Sequence, residues 1–438
     1  LQPANNKKKG SKLNKPRIAV NLSAAKTTVI AKTRLKTIIL QYPLYRGIIV
    51  LSLVLAITVV FAADKLTAFL GLFNLLPFFL LFAGWSFLIQ TTAQLKRISW
   101  ILTINSLPVV IIGIGQLFFG WSTSQITSNI FGWILVSGGN PPNRMASVFM
   151  YANILAGYLA LVFILNLGLW LQELNKLRSR KQPNNIEISS LPPSLPPSLT
   201  LLLLTASVII NFTGLILTNS RNAWVIALIA CLAYAFYQGW RLIVAFVMGI
   251  AGSILLAAFA PSSIATLFRK IVPAFFWARF NDQLYPDRPV ALMRTTQWNF
   301  AWDLTIQRPW TGWGLRNFSD IYKEKMNLWL GHPHNLYLML SAETGIITTL
   351  LFCGLLAWIF IKGVKLLRVQ GAESREQKEE NKLVIFSYLL VFVAWILFNT
   401  VDVTIFDFRL NTLSWLIFGA ICGVGRTVKQ LTVINDQL

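Results

Sequence analysis

Residues 66–90 read LTAFLGLFNLLPFFLLFAGWSFLIQ, and no Asp, Glu, Lys or Arg interrupts them. A helix needs about 20 apolar residues to cross the hydrocarbon core of a bilayer, and this run has the length and the purity for it. Residues 242–260, LIVAFVMGIAGSILLAAFA, have the same character. Such runs recur along the chain. Of its 438 residues 55% are hydrophobic and 13% charged, with mean hydropathy +0.60, where a water-exposed domain carries about a quarter charged residues. A soluble globular fold is excluded on that ground.

Reading apolar runs and their polar breaks gives about ten spans, and the expected fold class is all-α, a polytopic membrane protein. The expected spans are Gly47–Ala63, Leu66–Gln90, Trp100–Trp121, Val148–Leu171, Leu199–Thr218, Ala223–Tyr237, Leu242–Ala260, Gly345–Ile361, Leu383–Val401 and Leu413–Val424. The sixth and tenth are short, and Thr37–Leu44 could add a re-entrant or interfacial piece. Cys231, Cys353 and Cys422 all lie in apolar runs without metal-type spacing, so they read as small apolar residues. No cleavable signal peptide is expected, because the first 46 residues are polar and basic and the first apolar run is too long.

Basic residues in short connections orient the spans. Eleven Lys and Arg lie between Lys7 and Arg46 with no acidic residue among them. Lys96, Arg97, Lys176, Arg178, Arg180, Lys181, Arg241, six more in 362–382, Arg426 and Lys429 alternate onto the same side. With ten spans that side is the cytoplasm, and both termini lie there. The basic arm is expected to attract anionic membrane lipids rather than nucleic acid. Residues 183–198, which contain LPPSLPPS, and residues 371–381, a mixed-charge run, read as solvated tethers.

One outward connection, Pro261–Thr344, is far longer than connectors usually are. It is basic, and it holds Trp277, Trp298, Trp302, Trp310, Trp313 and Trp329. Arg294, Trp298 and Trp302 recur every four residues, which predicts a helix within Ala291–Arg308, ended by Pro309 and Gly312. That helix suits an aromatic anchor at the membrane interface or a lid over a groove, and the pattern favours the anchor.

Both histidines of the chain stand in Gly331-His332-Pro333-His334-Asn335. Asn335 is a good N-cap for the apolar helix that follows, so His334 is expected where a helix enters the membrane. A neutral imidazole there can accept a proton from a hydroxyl. The alternative is an interfacial histidine satisfied by backbone groups, and on these residues alone the plainer reading has the advantage. A metal reading is weaker: His332 and His334 give two ligands, with Glu343 or a loop Asp as a third, in no recognised zinc spacing. Arg144 and Arg221 stand at outer ends of spans, and Asn153 lies in the outer half of the fourth. Arginines at the edge of hydrocarbon are functional candidates, although each alone can snorkel. Arg144, Arg221 and Arg294, with His334 and an aromatic rim, would suit a diphosphate on a lipid carrier.

Four stretches together resemble the O-antigen ligase and O-antigen polymerase-like membrane proteins. They are Asn143-Arg144 with Ala152-Asn153-Ile154-Leu155-Ala156-Gly157-Tyr158; Ser220-Arg221-Asn222-Ala223-Trp224; Arg294 to Trp298 with Arg308-Pro309-Trp310-Thr311-Gly312-Trp313-Gly314-Leu315; and His332-Pro333-His334-Asn335-Leu336-Tyr337-Leu338 with Glu343-Thr344-Gly345. Ala152 stands where the family usually has proline, and Asn222 where glycine is common. The resemblance runs from Asn143 to about Leu351. It implies a GT-C-like architecture and transfer of a glycan from an undecaprenyl diphosphate-linked donor to an acceptor hydroxyl on the periplasmic face of a bacterial inner membrane. The acceptor would be the lipid A core in a ligase and a growing glycan in a polymerase.

On that resemblance His334 is the base, and Arg221 and Arg294 bind or neutralise the diphosphate with Arg144 assisting. Asn153, His332, Asn335, Glu343 and Arg308 are the further substrate-binding candidates. No cofactor and no metal are implied, and the chain holds no Walker-type phosphate loop. The expected organisation is a basic cytoplasmic arm (1–46), N-terminal spans (47–142), a catalytic region (143–351) that includes the long loop (261–344), and C-terminal spans with a tail (352–438). A transport role is the rival of a different class, since some relatives have been linked to bicarbonate transport. Against it, the ionisable residues gather at one surface rather than at the midplane, and no paired repeat is visible.

Overall fold

The computed structural model describes residues 43–180, 196–280, 289–368 and 375–435. The basic arm before Pro43, residues 37–42 of the re-entrant candidate, most of the proline-rich tether and part of the mixed-charge tether lie outside them. So do Asp282, Asp287 and Arg288 of the long loop.

Among the described residues the regular structure is helical, with no strand. The helices are α1 (Pro43–Val60), α2 (Lys65–Gly71), α3 (Leu76–Leu88), α4 (Thr92–Phe118), α5 (Gln125–Phe131), α6 (Ala152–Arg180), α7 (Pro197–Leu217), α8 (Arg221–Tyr237), α9 (Arg241–Phe259), α10 (Ser262–Arg269), α11 (Ala274–Phe280), α12 (Arg294–Gln307), α13 (Phe318–Met326), α14 (Leu336–Arg368), α15 (Arg375–Phe398) and α16 (Phe408–Asn435). Nine stretches among the described residues are long and apolar enough to cross a membrane, with α2 and α3 counted as one, and α8 is a shorter apolar helix. All ten sequence-derived spans therefore have a counterpart.

Several bounds differ. α6 begins at Ala152, after a 3-10 turn over Ser147–Phe149, and runs to Arg180, so its basic residues extend the helix rather than end it. α14 takes in both the short helix after Asn335 and the eighth span, with a break at Gly345. α16 is much longer than the short tenth span. The long connection holds α10, α11, α12 and α13, of which only α12 is expected from the sequence.

Local chemistry sets the helix starts. Thr91 closes a capping box on α4: its hydroxyl accepts from the Gln94 amide, and the Gln94 side chain accepts from the Thr91 amide at 3.0 Å. Asp64 caps α2 by accepting from the amides of Leu66 and Thr67. α6 is the most enclosed span, packed by α4, α7, α8 and α15, whereas α9 leaves most of its apolar surface uncovered, as a lipid-facing helix does. At one end of this set Lys96 and Lys176 form a four-charge network with Glu173 and Glu380, at 3.2–3.8 Å, joining α4, α6 and α15. The segment from α12 to α14 has a core of its own. Phe300, Ala301 and Leu304 meet Phe318, Tyr322 and Ala342, with Phe300 edge-on to Tyr322 at 4.9 Å. Burying each of these rings stabilises the segment by about 2–3 kcal/mol, so the connection is a folded cap rather than a loose loop.

Candidate active site

At the end opposite the charge network, the beginnings of α6, α8, α14 and α16 meet the end of α15. The junction is made by backbone groups. Leu336 donates to the Asn399 carbonyl at 2.9 Å, and the Asn222 side chain donates to the Phe398 carbonyl at 3.0 Å. Asn335 is the N-cap expected of it: Oδ1 accepts from the amides of Tyr337 and Leu338, each at 3.0 Å. The turn ahead of that cap holds His334 in a left-handed conformation, φ 52°. This is uncommon for a residue with a side chain and is the kind of local strain that gathers at functional sites.

His334 Nδ1 lies 3.2 Å from Oδ1 of Asp402, in the connection between α15 and α16. Asp402 is buried, and the same oxygen also accepts from the Val403 amide at 2.9 Å. Burial alone would raise its pKa, but the His334 hydrogen bond and the fields of His334, His332 and Arg294 outweigh that and hold it at about 2. An ionised carboxylate accepts and cannot donate, so Nδ1 of His334 carries the proton and Nε2 presents its lone pair. This is the arrangement a general base needs.

His332 packs edge-on against His334 with ring centroids 4.5 Å apart, and its Nδ1 accepts from the His334 amide at 3.2 Å. Burial, with His334, Arg316 and Arg294 nearby, lowers its pKa to about 4 against the pull of Asp402, so it is neutral at neutral pH. The nitrogen and oxygen atoms of His332, His334 and Asp402 lie within 4.8 Å of one another, which is close enough to share a cation. The tautomer does not suit it. Nδ1 of His332 accepts, so Nε2 holds the proton where a metal would bind, whereas a ligating imidazole donates through its other nitrogen.

Arg144 donates to the Thr218 carbonyl at 2.9 Å and to Oδ1 of Asn153 at 2.5 Å. Tyr151 lies within the fields of Arg144, Arg294 and Asp402. Its hydroxyl is raised above its ordinary value first by its enclosure and then by the Asp402 carboxylate, and Arg144 and Arg294 oppose both. Arg294 opens α12, and Arg221 opens α8 beside Asn222. The structure thus brings His332, His334, Arg144, Asn153 and Arg294 to one place, with Arg221 and Asn335 at the helix starts that frame it.

The other two candidates point elsewhere. The Arg308 guanidinium stacks over Trp313 at 3.9 Å and donates to the Phe61 carbonyl. Glu343 is buried and accepts from the backbone amides of Phe318, at 3.3 Å, and Arg316. Two residues of the site carry no sequence signal of their own. Asp402 lies outside every recognisable motif, and Arg316 follows the Trp313-Gly314 segment without belonging to a spacing. The trace that could have found Asp402 is its type, a carboxylate in an otherwise apolar connection between two spans.

Fold and site define a polytopic all-α membrane protein with a histidine–carboxylate pair and several arginines gathered at one end of its helices. Residues 206–353, about a third of the chain, match the family model described as O-antigen ligase. The match takes in Arg221, Arg294, His332 and His334, while Arg144, Asn153 and Asp402 lie outside it. No curated protein matches the chain.

Proposed function

We propose that this protein is a membrane glycosyltransferase that moves a glycan from a polyprenyl diphosphate carrier to an acceptor hydroxyl, in the manner of O-antigen ligases and polymerases. The observation that carries the reading is the His334–Asp402 pair, set among Arg144 and Arg294 and within a chain whose residues 206–353 match that family. The acceptor hydroxyl gives its proton to Nε2 of His334 as its oxygen attacks the anomeric carbon. The bond from that carbon to the carrier diphosphate breaks, and the diphosphate leaves with the electron pair. Asp402 stabilises the imidazolium, as a buried carboxylate does behind a catalytic histidine. Arg294 and Arg221 meet the charge of the leaving group through charge-assisted hydrogen bonds, and Arg144, held by Thr218 and Asn153, assists through its positive field.

In this reading the site faces the periplasm from a bacterial inner membrane and both termini are cytoplasmic, which the distribution of Lys and Arg supports. The donor is undecaprenyl diphosphate-linked, and the acceptor is a lipid A core or a growing glycan. The test replaces His334 and Asp402 separately by Asn in cells that make the lipid-linked glycan. Loss of surface glycan with accumulation of the precursor is expected in both. Normal glycan in both variants would overturn the reading. In the unaltered protein, one acceptor capped once indicates a ligase, and a ladder of lengths indicates a polymerase.

A further inference from the structure

A cavity of about 340 Å³ adjoins the histidine pair, lined by Thr67, Leu70, Gly71, Asn74, Arg316 and Phe406. Its link to the site is Phe406, whose ring is 6.1 Å from that of His332 and lies beneath the Arg316 guanidinium at 4.2 Å. Arg316 is held there at a cost. Its φ is 67°, left-handed in a residue with a long side chain, and the Glu343 carboxylate fixes that turn by accepting from the Arg316 and Phe318 amides. Gly71 lets the turn approach α2, because a Cβ there would stand 2.7 Å from Cβ of Leu315.

Three other arginines of this region spend donors on the protein. Arg409 pairs with Asp407 and with the carbonyls of Val148 and Phe149; Arg144 holds Thr218 and Asn153; Arg308 holds Phe61. The Arg316 guanidinium has one face on Phe406 and makes no hydrogen bond or ion pair to another described residue. No carboxylate lines the cavity among the described residues, and Asp64, which precedes the wall helix α2, is engaged by the Thr67 hydroxyl at 2.6 Å and by the amides of Leu66 and Thr67. A planar cation that lines a cavity and is supported from one face by an aromatic ring is a receptor for an oxyanion.

We infer that this cavity is an acceptor subsite that selects glycans bearing an anionic substituent, a carboxylate or a phosphate, and that Arg316 is the residue that binds it. The inference rests on the glycosyltransferase reading, because it assigns the acceptor side of the same site. The donor diphosphate falls to Arg294 and Arg221, and Arg316 sets which acceptor places its hydroxyl beside Nε2.

The test measures binding to the full chain in phosphatidylcholine nanodiscs, with methyl glucuronide, glucose 6-phosphate and methyl glucoside as probes. At least one anionic sugar should bind tenfold or more tightly than the neutral one, and the tighter of the two identifies the substituent as carboxylate or phosphate. Arg316→Gln should remove that preference. Leu70→Trp, at an exposed position of the cavity wall, should fill the space and weaken binding equally, and it decides the matter if Arg316→Gln fails to fold. Equal affinity for the three probes, or an anion preference that survives both cavity variants, would overturn the subsite. So would displacement of the sugars by phosphatidylglycerol added to the disc, which would make a lipid headgroup the occupant. Loss of glycan transfer in His334→Asn beside an unaltered anion affinity in Arg316→Gln sinks the subsite and leaves the glycosyltransferase standing.

Discussion

Asp402 Oδ1 stands 3.2 Å from His334 Nδ1 although 68 residues and two membrane-spanning helices separate them in the chain. The contact fixes the tautomer of His334, the base of the proposed mechanism, so it ties the connection between the C-terminal helices to the central segment.

Asp402→Asn tests that coupling. The amide keeps an oxygen for the Val403 amide but loses the charge, and it can turn its NH2 toward His334 and invert the tautomer. Transfer should fall by roughly a hundredfold or more with the acceptor KM little changed. Initial rates in membrane vesicles check it, and a change confined to KM would contradict the assigned role.

Two groups of the site, His332 and Asp402, have lowered pKa values and contribute acid sensitivity. His332 is depressed from 6.5 to about 4, so the unfolded chain takes up its proton first as pH falls. Its contribution to stability is whole above pH 6.5 and drains away as pH falls toward 4. Asp402 is depressed from 3.8 to about 2, so its contribution is whole above 3.8 and is lost as pH falls toward 2. Each therefore lowers the thermal midpoint of purified protein through its own window as pH falls, His332 between 6.5 and 4 and Asp402 between 3.8 and 2. His332→Phe should flatten the profile between pH 6.5 and 4 and leave the lower window in place.

Glu343 should behave as a structural carboxylate. Glu343→Ala strands two buried amides, those of Arg316 and Phe318, at about 1–3 kcal/mol each. Glu343→Gln keeps an acceptor and should cost less. Thermal unfolding ranks the two, and limited proteolysis should show cleavage around residues 312–318 rising in the same order.

Gly345 breaks α14 at φ 83° and ψ 166°, where only glycine is comfortable, and a Cβ there would stand 2.4 Å from the Trp310 carbonyl oxygen. Gly345→Ala should lower stability by about 3 kcal/mol or more. Gly354, one span-half further on, has nothing within 4 Å of such a Cβ, and Gly354→Ala should be neutral or slightly stabilising. Thermal midpoints of the pair separate a conformational requirement from the mere presence of glycine.

Much of this was legible in the sequence, for reasons that can be named. Apolar runs such as residues 66–90 can only be membrane helices, and Asn335 can be recognised as a cap because capping is local chemistry. The arginines and histidines could be listed because they are costly at a hydrocarbon edge. Asp402 could not be paired with His334, since its approach depends on how α14, α15 and α16 pack, and packing leaves no local trace. Glu343 and Arg308 read as binding residues from their motifs, yet their side chains are engaged by the protein itself. Arg316, whose guanidinium makes no hydrogen bond to another described residue, stands on a left-handed turn with Phe406 beneath it. Neither is visible until the chain is folded.

The central claim is that His334 is the base of a glycosyl transfer. His334→Asn tests it most directly, because Asn tolerates the left-handed turn at this position while offering no basic nitrogen. In membrane vesicles loaded with lipid-linked glycan and acceptor, transfer should fall about a thousandfold while the lipid-linked donor persists and the protein stays folded. Transfer at an unaltered rate by folded His334→Asn protein would contradict the account.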